Sequence, residues 1–148
     1  MGQKGELARS LFESGYNCCQ AVAGAFFEEA GMEFDVLMQI AASFGGGVGG
    51  MREVCGAVSA MALIAGAVSG YILPKTVEEK QAHYALVQKL AEALRNKHGS
   101  IICRTLLGEK EGTPGRPPRE RTPQYYKERP CPKIVMDAAD ILQDILFS

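Results

Sequence analysis

Residues 54–73 read VCGAVSAMALIAGAVSGYIL, a stretch with no charged side chain. Such a run is long enough in principle to span a bilayer. Its Gly, Ala and Ser content keeps its hydrophobicity modest, and it stands alone in the chain. A helix that is apolar on every side belongs inside a protein, so this stretch predicts the buried central helix of a bundle and no membrane span. Gly56, Ala60, Ala62, Gly66 and Gly70 would let neighbouring helices approach closely. The Gly66-to-Gly70 spacing also matches a membrane dimerisation pattern, but close packing serves the core of a soluble protein, or a homo-oligomer contact, equally well.

Helical patterns flank this stretch on both sides. Gly5 to Glu13 reads as a short helix with Leu7, Ala8, Leu11 and Phe12 on one side. Asn17 is a good N-cap for a helix from Cys18 to about Ala30, ended by Gly31. Asp35 caps a third helix through about Ser43, with Val36, Leu37 and Ile40 turned inward. Phe44-Gly45-Gly46-Gly47-Val48-Gly49-Gly50 is a loop that no regular element tolerates. Beyond the apolar helix, which Pro74 ends, Thr76 and Glu79 form a capping box for a long helix to about His98. Its inward stripe is Tyr84, Val87, Leu90, Ala91 and Leu94. Ser100 caps a short helix carrying Cys103, Leu106 and Leu107, closed by Gly108.

Residues 109–130 change character, with five prolines and the arginines Arg116, Arg119, Arg121 and Arg129. This Pro/Arg-rich segment reads as an extended, solvated excursion, with Tyr125 and Tyr126 as its anchors. Cys131-Pro132 then opens a final amphipathic helix, proline suiting the first helical position and leaving Cys131 at the cap. No alternating strand pattern occurs. The expectation is an all-α, single-domain bundle over residues 1–148, with about six to seven helices around the Gly/Ala-rich one.

The chain of 148 residues is 47% apolar and 22% charged, with a net charge of −1. That balance suits a folded protein and gives no electrostatic reason to bind nucleic acid or an anionic membrane. Met1 to Ser10 holds charges and no apolar run, which predicts no secretory signal and a reducing cytoplasm. Five cysteines there call for metal ligation, redox cycling or simple burial.

Their positions favour chemistry. Cys18, Cys55, Cys103 and Cys131 each fall at a predicted helix start, where unpaired N–H groups and the helix dipole stabilise a thiolate and lower its pKa. Four such placements point to convergence at one site. Cys19, one residue further along its helix, points about 100° away from Cys18.

The stretches Gly15-Tyr16-Asn17-Cys18, Phe44-Gly45-Gly46-Gly47 and Cys55-Gly56-Ala57 occur in that order. Gly99-Ser100, Cys103-Arg104, Leu106, Gly108 and finally Cys131 follow. Together they resemble the C_GCAxxG_C_C family of redox-active proteins, named for four cysteines and a CGAxxG motif. The resemblance covers nearly the whole chain and implies that Cys18, Cys55, Cys103 and Cys131 are the family's four. Two departures stand out: Ala60 where the motif ends in glycine, and Cys19 where the family usually has alanine or serine. A looser resemblance extends to a domain of split-Soret cytochromes, which pair haem segments with an iron–sulfur centre. This chain has no Cys-x-x-Cys-His, so the haem part does not carry over.

Other signals weigh less. Gly45, Gly47 and Gly50 have the letters of a dinucleotide fingerprint but follow a helix, not a strand. The loop reads either as a tight connection or as a flexible segment close to Cys55. In the second reading Gly45, Gly46 and Gly47, with Gly56 beside them, present backbone N–H groups to a cofactor's sulfurs. His83 reads as a core-edge residue and His98 as a helix C-terminal one. The arginines of 116–129 read as an anion or partner site, or simply as a solvated loop.

Three functions remain open. The first is a redox protein holding an iron–sulfur cluster or other thiolate-bound metal among Cys18, Cys55, Cys103 and Cys131, for electron transfer or redox sensing with an unidentified redox partner. The second is a metal-free thiol–disulfide protein using the same cysteines. The third is a zinc-stabilised helical interaction module with no redox turnover.

Overall fold

The computed structural model describes residues 2–148. Among them the regular structure is helical: α1 (Gln3–Glu13), α2 (Cys18–Gly24), α3 (Phe34–Ala42), α4 (Gly56–Ser69), α5 (Val77–His98), α6 (Cys103–Glu111), α7 (Pro123–Glu128) and α8 (Cys131–Leu146). One isolated antiparallel bridge joins Val54 to Ile102. The all-α class is as the sequence predicts. The count exceeds the expected six or seven because the Pro/Arg-rich segment contributes α7, which Thr122 caps by accepting from the Tyr125 N–H.

The Gly/Ala-rich helix is central over its first ten residues. Ala57, Ala60, Met61, Ile64 and Ala65 are buried where α4 packs on α2, α5 and α8. Its last turn, Gly66 to Ser69, is exposed, and it ends at Gly70 rather than at Pro74. No helix among the described residues is long and apolar enough to cross a membrane. Because α4 ends early, the N-terminal half of α5 has little to pack against. Leu90 and Leu94 are fully buried, whereas Tyr84, expected to face inward, is 47% exposed. Fully burying each leucine contributes roughly 1.5–3 kcal/mol, so α5 is held mainly by its C-terminal half.

Two further inward faces differ from expectation. In α3 the buried positions are Leu37, Met38 and Ala41, while Val36 and Ile40 are exposed. Phe34 packs edge-on against both Tyr16 and Phe27, drawing that face of α3 inward. In α1, Ala8 and Phe12 are buried and Leu7 is exposed. There α8 sets the orientation, because Asp140 Oδ1 accepts from the Gly5 N–H at 3.0 Å and satisfies a first-turn donor of α1.

The second helix stops at Gly24, short of Ala30. Residues 25–31 continue as turns, with Lys4 Nζ donating to the Ala25 carbonyl at 2.7 Å and pairing with Glu29. Phe26, stacked on Phe147, keeps this segment in the core. At the far end of α5, His98 Nε2 lies 2.8 Å from Asp137 Oδ2 and ties α5 to α8. His98 therefore joins two helices as well as ending one.

Candidate functional site

Cys18, Cys55, Cys103 and Cys131 line one cavity of about 440 Å³. Cys18, Cys103 and Cys131 are the first residues of α2, α6 and α8, and Cys55 is the N-cap of α4. The site is therefore a meeting of helix starts. All five cysteines are free thiols.

Local structure fixes each one. At Cys18 the preceding Asn17 and Gln20 form a capping box, Gln20 N–H donating to Asn17 Oδ1 at 2.9 Å and Asn17 N–H to Gln20 Oε1 at 3.0 Å. Asn17 Nδ2 also donates to the Ala42 carbonyl, which ties the start of α2 to the end of α3. Cys55 and Cys103 are linked through the bridge: Cys55 N–H donates to the Ile101 carbonyl at 2.8 Å and Cys103 N–H to the Glu53 carbonyl at 2.6 Å. Cys131 follows Pro130, the cap of α8, one position inside the place expected for it.

The glycine segment wraps one side of the cavity. Gly46, Gly47, Val48, Gly49 and Gly50 all have positive φ, between 54° and 79°. Glycine adopts this region freely, whereas Val48 does so against the Cβ penalty of an L-residue. Hydrogen bonds hold the turn, including Arg52 N–H to the Gly46 carbonyl and Glu53 N–H to the Gly47 carbonyl. The segment is thus a pinned turn, not a flexible loop.

The segment lines the cavity together with Cys55 and comes close to Cys18 and Cys103. The Gly46 backbone N–H favours the Cys18 thiolate. A Cβ on Gly47 would come within 2.7 Å of the Cys103 β-carbon, and one on Gly45 within 2.5 Å of the Asn17 side chain. A Cβ on Gly56 would lie 2.5 Å from Cys18 Sγ. The four glycines singled out in the sequence therefore all touch the thiol site or its capping residue.

Burial governs the thiols. It pushes Cys18, Cys55 and Cys131 up, Cys131 to about 12. Proximity to the other cysteines adds to the effect, and donors from Gly46 to Cys18 and from Arg129 to Cys131 oppose it. The expectation that helix starts would lower these pKa values is therefore corrected for the metal-free protein, because desolvation of a thiolate outweighs a helix dipole. Cys19 is completely buried and also pushed up, so it is a core residue rather than a surface thiol.

The excursion of residues 109–130 is likewise corrected. It folds over the thiols, and Gly115, Pro117, Pro118 and Tyr125 line the cavity. Tyr125 is buried, and Tyr126 meets Phe12 edge-on. Arg121 fastens the segment to α1 by donating to the Phe12 carbonyl at 2.8 Å and the Tyr16 carbonyl at 3.0 Å. Glu111 pairs with Arg116, Arg119 and Arg129. Hydrogen bonding from Arg119 holds its carboxyl below the usual range.

Arg52 is a site residue that sequence reading missed. It is 4% exposed, has φ of +61°, and its Nη1 lies 3.7 Å from Cys103 Sγ. A single arginine between a glycine loop and a helix start carries no sequence signal of this placement. Among the described residues, no three His, Cys, Asp or Glu side chains come together closely enough to hold one metal ion. The thiols ring a space rather than a point.

Comparisons with curated proteins and with solved structures gave no match. A family model did match, described as "Putative redox-active protein (C_GCAxxG_C_C)", over residues 16–145. That span contains all four cavity cysteines, both arms of the glycine turn and the folded-over segment, and on it the chain belongs to the C_GCAxxG_C_C family.

Proposed function

We propose that this is a redox protein in which Cys18, Cys55, Cys103 and Cys131 hold an iron–sulfur cluster for electron transfer or redox sensing, in a reducing compartment and with a redox partner. The observation that carries the reading is the convergence of these four thiols on a cavity of about 440 Å³. Soft thiolates from separate elements suit such a centre. A single tetrahedral zinc needs its sulfurs about 2.3 Å from one point, which fits this wider ring less well than a polyatomic occupant does.

The surrounding residues suit the same occupant. When bound, a cluster supplies one-electron chemistry. Gly46 N–H at Cys18, Arg52 at Cys103 and Arg129 at Cys131 would donate to thiolate sulfurs, which at Cys18 and Cys131 opposes the desolvation that raises those two thiols. Gly47 and Gly56 keep side chains away from Cys103 and Cys18. From residues 113–130, Gly115, Pro117, Pro118 and Tyr125 line the cavity on its outer side.

Anaerobic purification followed by iron, sulfide and zinc analysis and a visible spectrum tests this. Iron with sulfide and broad visible absorption is the expected result. Stoichiometric zinc without colour would favour a structural module instead. A metal-free, colourless protein with a reversible disulfide would favour thiol exchange.

A further inference from the structure

The cavity wall carries a charge imbalance that four cysteines do not explain. Arg52, Arg116, Arg119, Arg121 and Arg129 line it, and no Asp or Glu does. Behind the wall, Glu111 lies 3.0 Å from Arg116 and 3.5 Å from Arg129 and also pairs with Arg119, which Glu128 meets at 3.1 Å. Arg121 uses its two Nη atoms on backbone carbonyls. Two carboxylates thus serve three of the five guanidinium groups, and Arg52 and Arg121 pair with neither.

Arg52 and Arg129 are the least satisfied. Arg52 is 4% exposed, has no carboxylate at ion-pair distance among the described residues, and its Nε has no hydrogen-bond partner. Arg129 is 9% exposed, and its Nε also lacks a hydrogen bond, the Glu111 oxygen at 3.5 Å being too distant for one. An arginine cannot relieve burial by losing its proton, and a buried unpaired charge is strongly disfavoured. Arg52 bears this in a left-handed backbone conformation as well. Both side chains face the same space, Arg52 beside Cys103 and Arg129 beside Cys131.

We propose that Arg52 and Arg129 form an oxyanion-binding subsite within the thiol cavity, for a small molecule carrying a carboxylate or phosphate-like group. The guanidinium fork matches two oxygens of such a group, and the volume is that of a small-molecule site. The bound anion supplies the missing negative charge and lies against Cys103 and Cys131. The subsite rests on the arginines and does not require a cluster.

The test uses the full chain, thiol-reduced and metal-free. Thermal melts and calorimetric titrations are run with inorganic phosphate, with acetate, and with chloride at matched ionic strength. Phosphate or acetate should bind saturably and raise the melting temperature where chloride does not, and whichever binds tighter identifies the anion class. Arg52→Gln and Arg129→Gln should each weaken binding about tenfold or more, with Arg52→Lys intermediate. If Arg52→Gln does not fold, Arg52→Lys and Arg129→Gln carry the test. No saturable binding, or equal affinity in these variants, overturns the subsite. Absence of binding here together with iron in the anaerobic preparation would assign the arginines to the cluster alone, whereas binding without iron would uphold the subsite and sink the cluster.

Discussion

Gly56 and Cys18 are packed so closely that a Cβ on the glycine would stand 2.5 Å from the sulfur and 2.9 Å from the Phe44 carbonyl. The missing side chain at the start of α4 makes room for the thiol at the start of α2. Helix propensity alone favours alanine over glycine by about 1 kcal/mol. Here overpacking, at roughly 1–3 kcal/mol, opposes that gain. Gly56→Ala should therefore destabilise the protein by up to about 2 kcal/mol in denaturant unfolding and, on the proposed cluster reading, lower its iron content. Gly66→Ala, with open space around it on the same helix, should stabilise by about 0.5–1 kcal/mol. Equal shifts in the two variants would contradict this account.

Cys19 is adjacent to Cys18 in sequence but is buried in the core instead of lining the cavity. On the proposed cluster reading Cys19→Ala should leave the iron content unchanged, and it should cost about 1 kcal/mol of stability from lost packing. Cys19→Ser should cost more, because its hydroxyl would be buried among apolar neighbours. Cys18→Ala, Cys55→Ala, Cys103→Ala and Cys131→Ala should each abolish stoichiometric iron, which metal analysis of the purified variants reads directly.

Arg121 holds the cavity cover to α1 through two carbonyls and stacks over Phe12, its guanidinium carbon 4.2 Å from the ring centroid. Removing it leaves both carbonyls without that donor, a loss of about 1–3 kcal/mol. Arg121→Ala should raise the rate at which a thiol reagent labels Cys18 and Cys131 in the metal-free chain, by about tenfold or more. Hydrogen exchange should rise over residues 113–130 while α4 stays protected. An unchanged labelling rate would mean the cover opens by another route.

The raised thiol pKa values set a pH dependence for the metal-free protein. An unfolded cysteine loses its proton near pH 8.5. Folded Cys131 holds its proton to about 12, and Cys18 and Cys55 are also shifted upward. Above about pH 8.5 the native state thus binds more protons than the unfolded state, and stability falls as pH rises. Denaturant midpoints measured from pH 7 to pH 10 should decline, and Cys131→Ser should flatten the decline. A midpoint that rises over this window would contradict the burial of these thiols.

The starts of α2 and α5 were readable from the sequence because their capping is local, whereas α3 and α6 have Glu33 and Ile102 at the cap, without side-chain cap bonds, and not the expected Asp35 and Ser100. Asn17 with Gln20, Thr76 with Glu79, and Gly99 at φ of +84° act within a few residues of the ends they define. The apolar run at 54–73 likewise required a buried helix wherever it was placed. Inward faces were less legible. Tyr84 fits a helical stripe perfectly well but projects beyond the end of α4, and its exposure depends on how far another helix extends.

What the sequence determined by itself was the class of fold, the four helix starts that carry thiols, and the glycines beside them, since propensity, capping and side-chain volume are properties of neighbouring residues. What the tertiary structure decided was how these groups act together. A thiol at a helix start is favoured as a thiolate by its own helix and disfavoured by burial under someone else's, and only packing says which wins. Arg52 and Arg129 are ordinary charges in sequence, and in the cavity each is buried with an Nε that has no hydrogen-bond partner. Segment 109–130 has the composition of a solvated loop, and it becomes a cover because the Phe12 and Tyr16 carbonyls lie within reach of Arg121. Burial and charge compensation come from residues far apart in the chain, and they exist only once the chain is folded.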